Sequence, residues 1–493
     1  MRGAFDNWWR APGGGREVLS LAIPLVISTS SWTIMHFIDR IFLFWYSANA
    51  VAAALPAGML SFAIECFFLG VGAYVNTFVA QYYGAGRPDR IGVAVWQGIA
   101  LGFVSAPILL ATIPLAPWLF DVVGHSPAVR EYEVTYYQVL CCGGGGLVVS
   151  AALSSFFTGR GQVRTVMIVD SLGALTNVVL DYAWIFGHWG FPELGVAGAA
   201  WATVVALWLR TAIYFVLFLS PANRERYGTA SGCRLDVDLM RRLLRFGSPA
   251  GVQMLLEVAG FTGFLMVVGW LGPSEHAATN LAFTINALAF VPMLGFGLAV
   301  TTLVGQHLGE NRPEVAARGV WSAYALATIY MAAVSVLYLA APHWFLMAHA
   351  AKSDPAEFKR ISDAVTILLR FVAAYSLFDT MNIVFVGALK GAGDTRFILL
   401  TSLCLCLVPI VLPWAGMSYF DFGLVGCWSV ATLWVCVLGT TYLARFVQGS
   451  WRTMRVIEPY VLPDVRPTTD ADETVTDAPL SGEPAAALRG ESC

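Results

Sequence analysis

A thirteen-residue signature occurs twice in this chain, and the duplication constrains the possible folds more than any other feature. Residues 78–90 read FVAQYYGAGRPDR, and residues 303–315, 225 positions later, read LVGQHLGENRPEV. Pro24 and Pro249, near the start of each half, have the same spacing. A repeat almost half the chain long indicates two homologous halves rather than two unrelated domains.

The composition places both halves in a membrane. Hydrophobic residues make up 57% of the 493 residues and charged residues only 12%, with a mean hydropathy of +0.67. Soluble proteins carry about 25% charged residues, and uncharged runs such as 98–120 and 397–419 have the ~20-residue length that crosses a bilayer. The sequence shows no basic domain for nucleic acid, and its nine cysteines lack metal-ligand spacing. We therefore expect the lipid bilayer as a partner and no cofactor.

Breaks between the apolar runs predict an all-α integral membrane protein with twelve transmembrane helices, because irregular backbone is too costly in contact with lipid. The predicted helices are 18–45, 50–82, 91–119, 131–158, 164–187, 194–220, 240–271, 276–308, 314–341, 358–389, 396–416 and 421–447. Each half holds an even number of helices, so both halves enter the membrane from the same side. Their pseudo-two-fold axis is then expected along the membrane normal.

The helix pattern also predicts the domain organisation and the orientation. We expect an N-terminal cytosolic segment at 1–17, an N-lobe at 18–220, a linker at 221–239, a C-lobe at 240–447 and a disordered cytosolic tail at 448–493. Only four of the 29 Lys and Arg residues fall in the outer loops, and positive charge concentrates on the cytoplasmic side. Both termini are therefore predicted to be cytoplasmic, and the short loops favour a bacterial inner membrane.

Further repeated segments carry a family resemblance. GRGQVR at 159–164 is similar to GAGDTR at 391–396, and GVAGAAWAT at 195–203 is similar to GLVGCWSVAT at 423–432. Together with the paired signatures and the FIDRIF end of the first helix, these motifs resemble the multidrug and toxic compound extrusion (MATE) family. The resemblance implies a V-shaped pair of six-helix lobes, a monomer in our expectation. It also implies export of small organic, often cationic, compounds in exchange for protons or sodium ions.

Acidic residues inside the membrane are the candidate functional groups, since a charge at the bilayer centre costs about 2.5–3.5 kcal/mol. Six lie more than five residues from either end of a predicted helix: Asp39, Glu65, Asp170, Asp181, Glu257 and Asp379. A buried carboxylate can hold a proton, a sodium ion or a cationic substrate and exchange one for another. Competition for such a site is the simplest physical basis for antiport.

One candidate cation site lies in the N-lobe. Helical periodicity puts Asp170, Asn177 and Asp181 on one face of the fifth helix, and oxygen ligands suit sodium. The family resemblance implies a site formed by Asp39, Asn177, Asp181 and Thr203, for a proton or Na⁺. The structural alternative for these residues is hydrogen bonding between helices.

The C-lobe offers a second candidate site. Glu257 and Asp379 resemble the acidic pair of the sodium-coupled bacterial branch, and the structural alternative is a protonated carboxyl bonded to a neighbouring helix. Glu65 either faces a central cavity and attracts cationic substrate or has a protonated structural role. Asp170, near the end of its helix, is expected to reach water.

Residues around Asp39 leave further alternatives open. His36 either hydrogen-bonds to Asp39 and tunes its proton affinity or simply packs. Arg40 either neutralises Asp39 or leaves its charge available for a cation. Pro24 interrupts helical hydrogen bonding, and we predict a hinge there that bends when Asp39 is protonated.

Other function classes fit the sequence less well. A lipid-linked precursor flippase of the same superfamily is the main alternative, although the intramembrane inventory of six acids against three arginines (Arg40, Arg210 and Arg370) disfavours a polyanionic cargo. No HExxH, GxSxG or GxxxxGK[ST] motif is present, so neither a membrane enzyme nor an ATP-driven pump is expected. A channel or receptor fits the two repeated lobes poorly.

Overall fold

The computed structural model describes residues 2–350 and 355–458. Twelve helices in these ranges are long and apolar enough to cross a membrane, which confirms the predicted all-α fold and helix number. They are α1 (Gly15–Tyr46), α2 (Ala48–Gly84), α3 (Pro88–Val122), α4 (Pro127–Thr158), α5 (Val163–Phe186), α6 (Val196–Phe218), α7 (Val237–Gly269), α8 (Pro273–Gly309), α9 (Pro313–Ala340), α10 (Lys359–Ala392), α11 (Thr395–Phe420) and α12 (Leu424–Gln448).

Local sequence explains where many of these helices begin and end. Pro88, Pro127, Pro273 and Pro313 each lie in the first turn of a helix, where the missing N–H costs no intrahelical hydrogen bond. Gly187 ends α5 with a φ of +70°, a left-handed conformation that glycine adopts without strain. Turn chemistry therefore sets helix length as much as hydropathy does.

Pro24 lies inside α1 and is buried. The helix runs from Gly15 to Tyr46 on both sides of the proline, so the helical segment tolerates the missing hydrogen bond. Whether α1 bends here during a transport cycle stays a prediction.

The N-lobe comprises α1–α6, and α4 lies at its centre, packed against α2, α3 and α6. The four-glycine run 143–146 makes this close packing possible. A Cβ added at Gly145 would come within 2.5 Å of the Ala106 Cβ on α3, closer than side chains approach. Small residues thus let helices approach closely.

The two lobes meet through α1 and α2 of the N-lobe and α7 and α8 of the C-lobe. Gly70 on α2 lies against Gly251 on α7, where an added Cβ would come within 2.6 Å of the neighbouring Cα. Because the helix count is even, both signature loops lie on the face of the molecule that also holds both ends of the helical bundle. We call this the terminal face, and the opposite side the far face.

Three segments at the terminal face differ from the sequence expectations. Residues 2–10 form a short helix, and the linker contains a helix at Pro221–Tyr227. Ser450–Thr453 forms a 3₁₀ turn, with Trp451 and Val456 buried. The prediction of a disordered tail is therefore wrong for residues 449–458, because these two apolar side chains pack on the bundle; residues 459–493 lie outside the described residues.

The linker is fixed to the N-lobe just before α7 begins. The Asp236 carboxylate accepts a hydrogen bond of 3.0 Å from the backbone N–H of Leu239 and another of 3.0 Å from Arg90 on α3. Burial opposes ionisation of Asp236, but these two hydrogen bonds outweigh it and lower the pKa of the carboxyl. Asp236 therefore acts both as the N-cap of α7 and as an ion-pair partner.

Candidate functional site

Three of the predicted N-lobe residues form one hydrogen-bonded set between α5 and α6. With its amide oriented to pair at both ends, the Asn177 nitrogen donates to Asp181 Oδ2 at 2.9 Å. The Asn177 oxygen accepts from the backbone N–H of Thr203 at 3.2 Å and from Thr203 Oγ1 at 3.3 Å. One helical turn separates Asn177 from Asp181, so α5 presents both side chains to α6.

Asp39 on α1 lies near this set and has an aromatic hydroxyl as its own hydrogen-bond partner. Tyr136 on α4 donates its phenolic O–H to Asp39 Oδ2 at 3.3 Å. The charges of both Asp39 and Asp181 act on Tyr136, and the Asp39 charge acts on Asp181. The structure therefore brings all four predicted N-lobe residues together and adds Tyr136 to them.

The two carboxylates are buried and incompletely bonded. Asp39 is 5% exposed and Asp181 is fully buried. Within residues 2–350 and 355–458, Oδ1 of Asp39 and Oδ1 of Asp181 are buried oxygens without a hydrogen-bond partner. A buried carboxylate oxygen without a partner carries a large desolvation cost, which a bound cation or proton would remove.

The ligand chemistry of the N-lobe set fits a hard cation. In the described part of the chain, no group of three or more His, Cys, Asp or Glu side chains could hold a metal ion. The N-lobe set offers two carboxylates plus the neutral oxygens of Asn177 and Thr203. Oxygen ligands of this kind suit hard cations such as sodium.

The predicted C-lobe acids also lie near each other. Gln253 donates to Glu257 on α7, and Asn382 donates to Asp379 on α10 at 3.3 Å. The charge of Glu257 acts on Asp379 and on Lys390, the basic residue in the last turn of α10. The C-lobe set therefore includes a basic residue, whereas the hydrogen-bond partners of the N-lobe carboxylates are neutral groups.

Comparison with known proteins decides the family. The MatE family profile matches residues 24–183 and 249–415, two stretches that together cover more than half of the chain. A probable multidrug resistance protein NorM of Burkholderia pseudomallei is 30% identical over 388 residues, which cover 78% of this chain and 82% of the relative. The chain belongs to the MATE family.

More distant relatives of this MATE protein share its length and its fold. A probable NorM of Thermotoga maritima is 25% identical over 446 residues, covering 90% of this chain and 94% of the relative. An outward-facing multidrug resistance MATE transporter superposes with a TM-score of 0.81 at 20% identity, over 91% of this chain and 98% of that one. The eukaryotic MATE transporter AtDTX14 gives 0.79 at 17% identity, over 89% and 96%. Together with the twelve apolar helices, these likenesses establish a multi-pass membrane protein.

Asp170 is not part of the N-lobe set of this MATE protein, and the expectation that it reaches water is wrong. Its carboxylate accepts hydrogen bonds from Ser28 on α1 and from the Tyr214 hydroxyl on α6, the latter at 2.8 Å. Arg210 on α6 lies 3.6 Å from it as an ion-pair partner. Asp170 shares a helix face with Asn177 but lies about two turns away, where different neighbours surround it.

Glu65 lies inside the N-lobe and has contacts different from those of Asp39 and Asp181. Ser61 donates to Glu65 Oε1 at 2.9 Å, and the Glu65 carboxylate packs beside Gly144 in the glycine run of α4. Of the two alternatives for this residue, its contacts favour the structural role. A role in coupling stays a prediction.

His36 and Arg40, the neighbours of Asp39 on α1, lie in different environments. The His36 ring packs on Trp32, with ring centroids 5.3 Å apart, in agreement with the packing alternative. Arg40 is exposed, and its positive charge acts on Asp39, while the hydrogen bond to Asp39 comes from Tyr136.

Two residues that complete the sites were missed from the sequence. Tyr136 lies in the stretch EYEVTYYQVL, where nothing in the spacing distinguishes it from Tyr132 or Tyr137. Lys390 lies one residue beyond the predicted helix 358–389, but α10 continues through it to Ala392. A helix boundary placed one turn later would have put this lysine beside the intramembrane acids.

Proposed function

We propose that this MATE protein is a secondary antiporter that exports organic, often cationic, compounds in exchange for protons or sodium ions. The observation that carries the proposal is the pair of buried carboxylates, Asp39 and Asp181, each with one oxygen lacking a hydrogen-bond partner in the described part of the chain. The names of the relatives support drug export, since the two NorM proteins are described as probable multidrug resistance proteins.

The geometry of the N-lobe set allows the coupling ion and the substrate to bind alternately. Tyr136 and Asn177 each donate a hydrogen bond to one oxygen of a carboxylate. The other oxygen of each carboxylate binds the coupling ion. When the ion leaves, two like charges remain close together in a medium of low dielectric constant, which raises their energy. A cationic substrate or the next coupling ion relieves this repulsion, so that either one excludes the other.

The C-lobe set supports a second exchange site with a different charge balance. The positive charge of Lys390 acts on Glu257, so one acid already has an internal counterion. We infer that the coupling ion and the substrate compete at the N-lobe set, and that the C-lobe acids form an additional cation site.

The orientation proposed from the positive charges places the terminal face in the cytoplasm. The linker and the loops at this face carry most of the Lys and Arg residues, as the positive-inside rule requires. With this orientation we propose a bacterial inner-membrane protein that acts as a monomer.

The test is dye transport in proteoliposomes, with sodium and proton gradients imposed separately. We expect one gradient to drive movement of an ethidium-like cation, and expect the Asp39→Asn and Asp181→Asn variants to lose that dependence. Glu131→Gln, which changes an exposed acid on α4, is the matched control and should transport normally. Dye movement that ignores both gradients would contradict the antiport proposal, and movement of an anionic lipid-linked precursor instead would favour the flippase.

A further inference from the structure

The two pairs of repeated motifs bind each other across the lobe interface. Gln81, in the N-lobe signature, donates its amide N–H to the backbone carbonyl of Gly391 at 3.0 Å. Gln306, in the C-lobe signature, donates to the carbonyl of Gly159 at 2.8 Å. Gly159 and Gly391 open the second pair of repeats, so each lobe supplies one donor and one acceptor.

Close backbone packing surrounds this pair of hydrogen bonds. A Cβ added at Gly84 would overlap the carbonyl oxygen of Gln306, and one added at Gly309 would overlap the carbonyl oxygen of Gln81. This close approach requires glycine at the fourth position of each Q-x-x-G segment. The duplicated signature is therefore self-complementary, as a contact about a two-fold axis requires.

A second contact between the lobes lies one to two turns deeper in the membrane. Asn76 Nδ2 on α2 donates to Thr302 Oγ1 on α8 at 3.1 Å, and both residues are buried. Gln81 is fully buried as well. Separating the lobes at the terminal face would break these hydrogen bonds and expose their polar groups, at a cost in free energy.

We propose that Gln81 and Gln306 form a reciprocal clasp that holds the terminal face closed, and that its release is the step that opens the protein to the cytoplasm. The proposal rests on the proposed function only in that export requires this face to open. Each lobe contributes one glutamine, so the clasp breaks as one unit when the lobes rotate apart.

The segment after α12 makes the clasp asymmetric. The backbone N–H of Val456 donates to Gln81 Oε1 at 2.9 Å, so the Gln81 amide is bonded at both ends. Val456 and Trp451 are buried, and Arg455 donates to Asn311 Oδ1 in the C-lobe signature at 3.2 Å. Residues 450–457 therefore link Gln81 to the C-lobe signature, which contains Gln306.

Hydrogen–deuterium exchange of the full chain in lipid nanodiscs tests the clasp. Gln81→Met and Gln306→Met keep the side-chain length but remove the amide. Gln97→Met is the matched control, because Gln97 is as buried as Gln81 but bonds to the backbone of Arg234 and Asp236, just before α7, rather than to the opposite clasp motif. Gln81→Asn and Gln306→Asn, which keep the amide but shorten its reach, serve if a methionine variant does not fold.

Exchange should rise only where the clasp is released. Loss of one neutral hydrogen bond corresponds to an increase of about fivefold in the open population, and exchange of residues 78–90 and 303–315 should rise by that factor. The far-face segments around Ser47 and Gly272 should exchange no faster. Exchange that rises at both faces, or at neither, or that rises equally in Gln97→Met, would overturn the clasp. Transport that ignores ion gradients would instead overturn the proposed function and leave the clasp intact.

Discussion

The Tyr136 hydroxyl stabilises Asp39 when no coupling ion is bound, and its removal gives the sharpest prediction for the N-lobe set. The hydroxyl donates to Asp39 Oδ2 at 3.3 Å, near the upper end of hydrogen-bond distances. A hydrogen bond to a charged group contributes about 1.5–3 kcal/mol, and the length of this one favours the lower value. In Tyr136→Phe the ion-free carboxylate loses that stabilisation.

We therefore expect Tyr136→Phe to bind the coupling ion about tenfold more tightly, since ~1.4 kcal/mol corresponds to a factor of ten. Turnover should fall because the ion leaves more slowly. The measurement is an ion titration of the purified protein, followed by its intrinsic tryptophan fluorescence, together with transport rates in proteoliposomes.

The adjacent tyrosine provides the control. Tyr137 donates its hydroxyl to Thr112 Oγ1 at 2.7 Å rather than to Asp39, so Tyr137→Phe should leave ion affinity unchanged. Weaker ion binding in Tyr136→Phe would refute the reasoning, because it would make the hydroxyl a ligand of the ion. Equal affinity in Tyr136→Phe and the wild-type protein would remove Tyr136 from the site.

Three further substitutions test the structural account through thermal unfolding. Arg210→Met leaves Asp170 buried without its cation, at a cost of about 3–5 kcal/mol, and the added Asp170→Asn change should recover part of the lost Tm; a single variant as stable as wild type would contradict the ion pair. Trp451→Ala should cost about 3–5 kcal/mol, as large-to-small changes at buried aromatic positions do, and an unchanged Tm would mean that the segment after α12 does not pack. Asp236→Asn should cost about 1 kcal/mol or less at neutral pH, and its difference from wild type should vanish as the pH falls. The lowered pKa of Asp236 means that its contribution is present above the unfolded pKa and lost as the pH falls through the folded one; a difference independent of pH would contradict this.

Much of the fold could be predicted because the bilayer leaves few alternatives. Helices of bilayer length must satisfy their own backbone hydrogen bonds, so the apolar runs determined the number of helices and most of their extents. The errors occur at the helix ends, where hydropathy gives little information. The last turn of α10, which carries Lys390, and the buried turn at Trp451 both extend beyond the apolar runs.

The side-chain environment was less predictable. The family resemblance grouped Asp39, Asn177, Asp181 and Thr203, and the structure places them together. Helical periodicity places Asp170 on the same face of α5 as Asn177 and Asp181. A shared face does not specify which neighbouring side chains pack against each turn of that face. Arg210 on α6, 40 residues along the chain, pairs with Asp170 instead.

The lobe interface shows the same limit. The duplication of Gln81 and Gln306 was visible in the sequence, but their hydrogen bonds to Gly391 and Gly159 join motifs that are far apart in the chain. A repeat reveals that two segments are equivalent. Only the packed structure shows that the two equivalent segments contact each other.

Competition between the coupling ion and an organic cation tests the central claim most directly. The measurement is equilibrium binding of an ethidium-like dye to the purified protein at increasing sodium concentration and, separately, at decreasing pH. We predict that one of these cations displaces the dye from the wild-type protein and that Asp39→Asn/Asp181→Asn abolishes the displacement. Displacement that persists unchanged in the double variant, or dye binding that neither cation affects, would contradict the account.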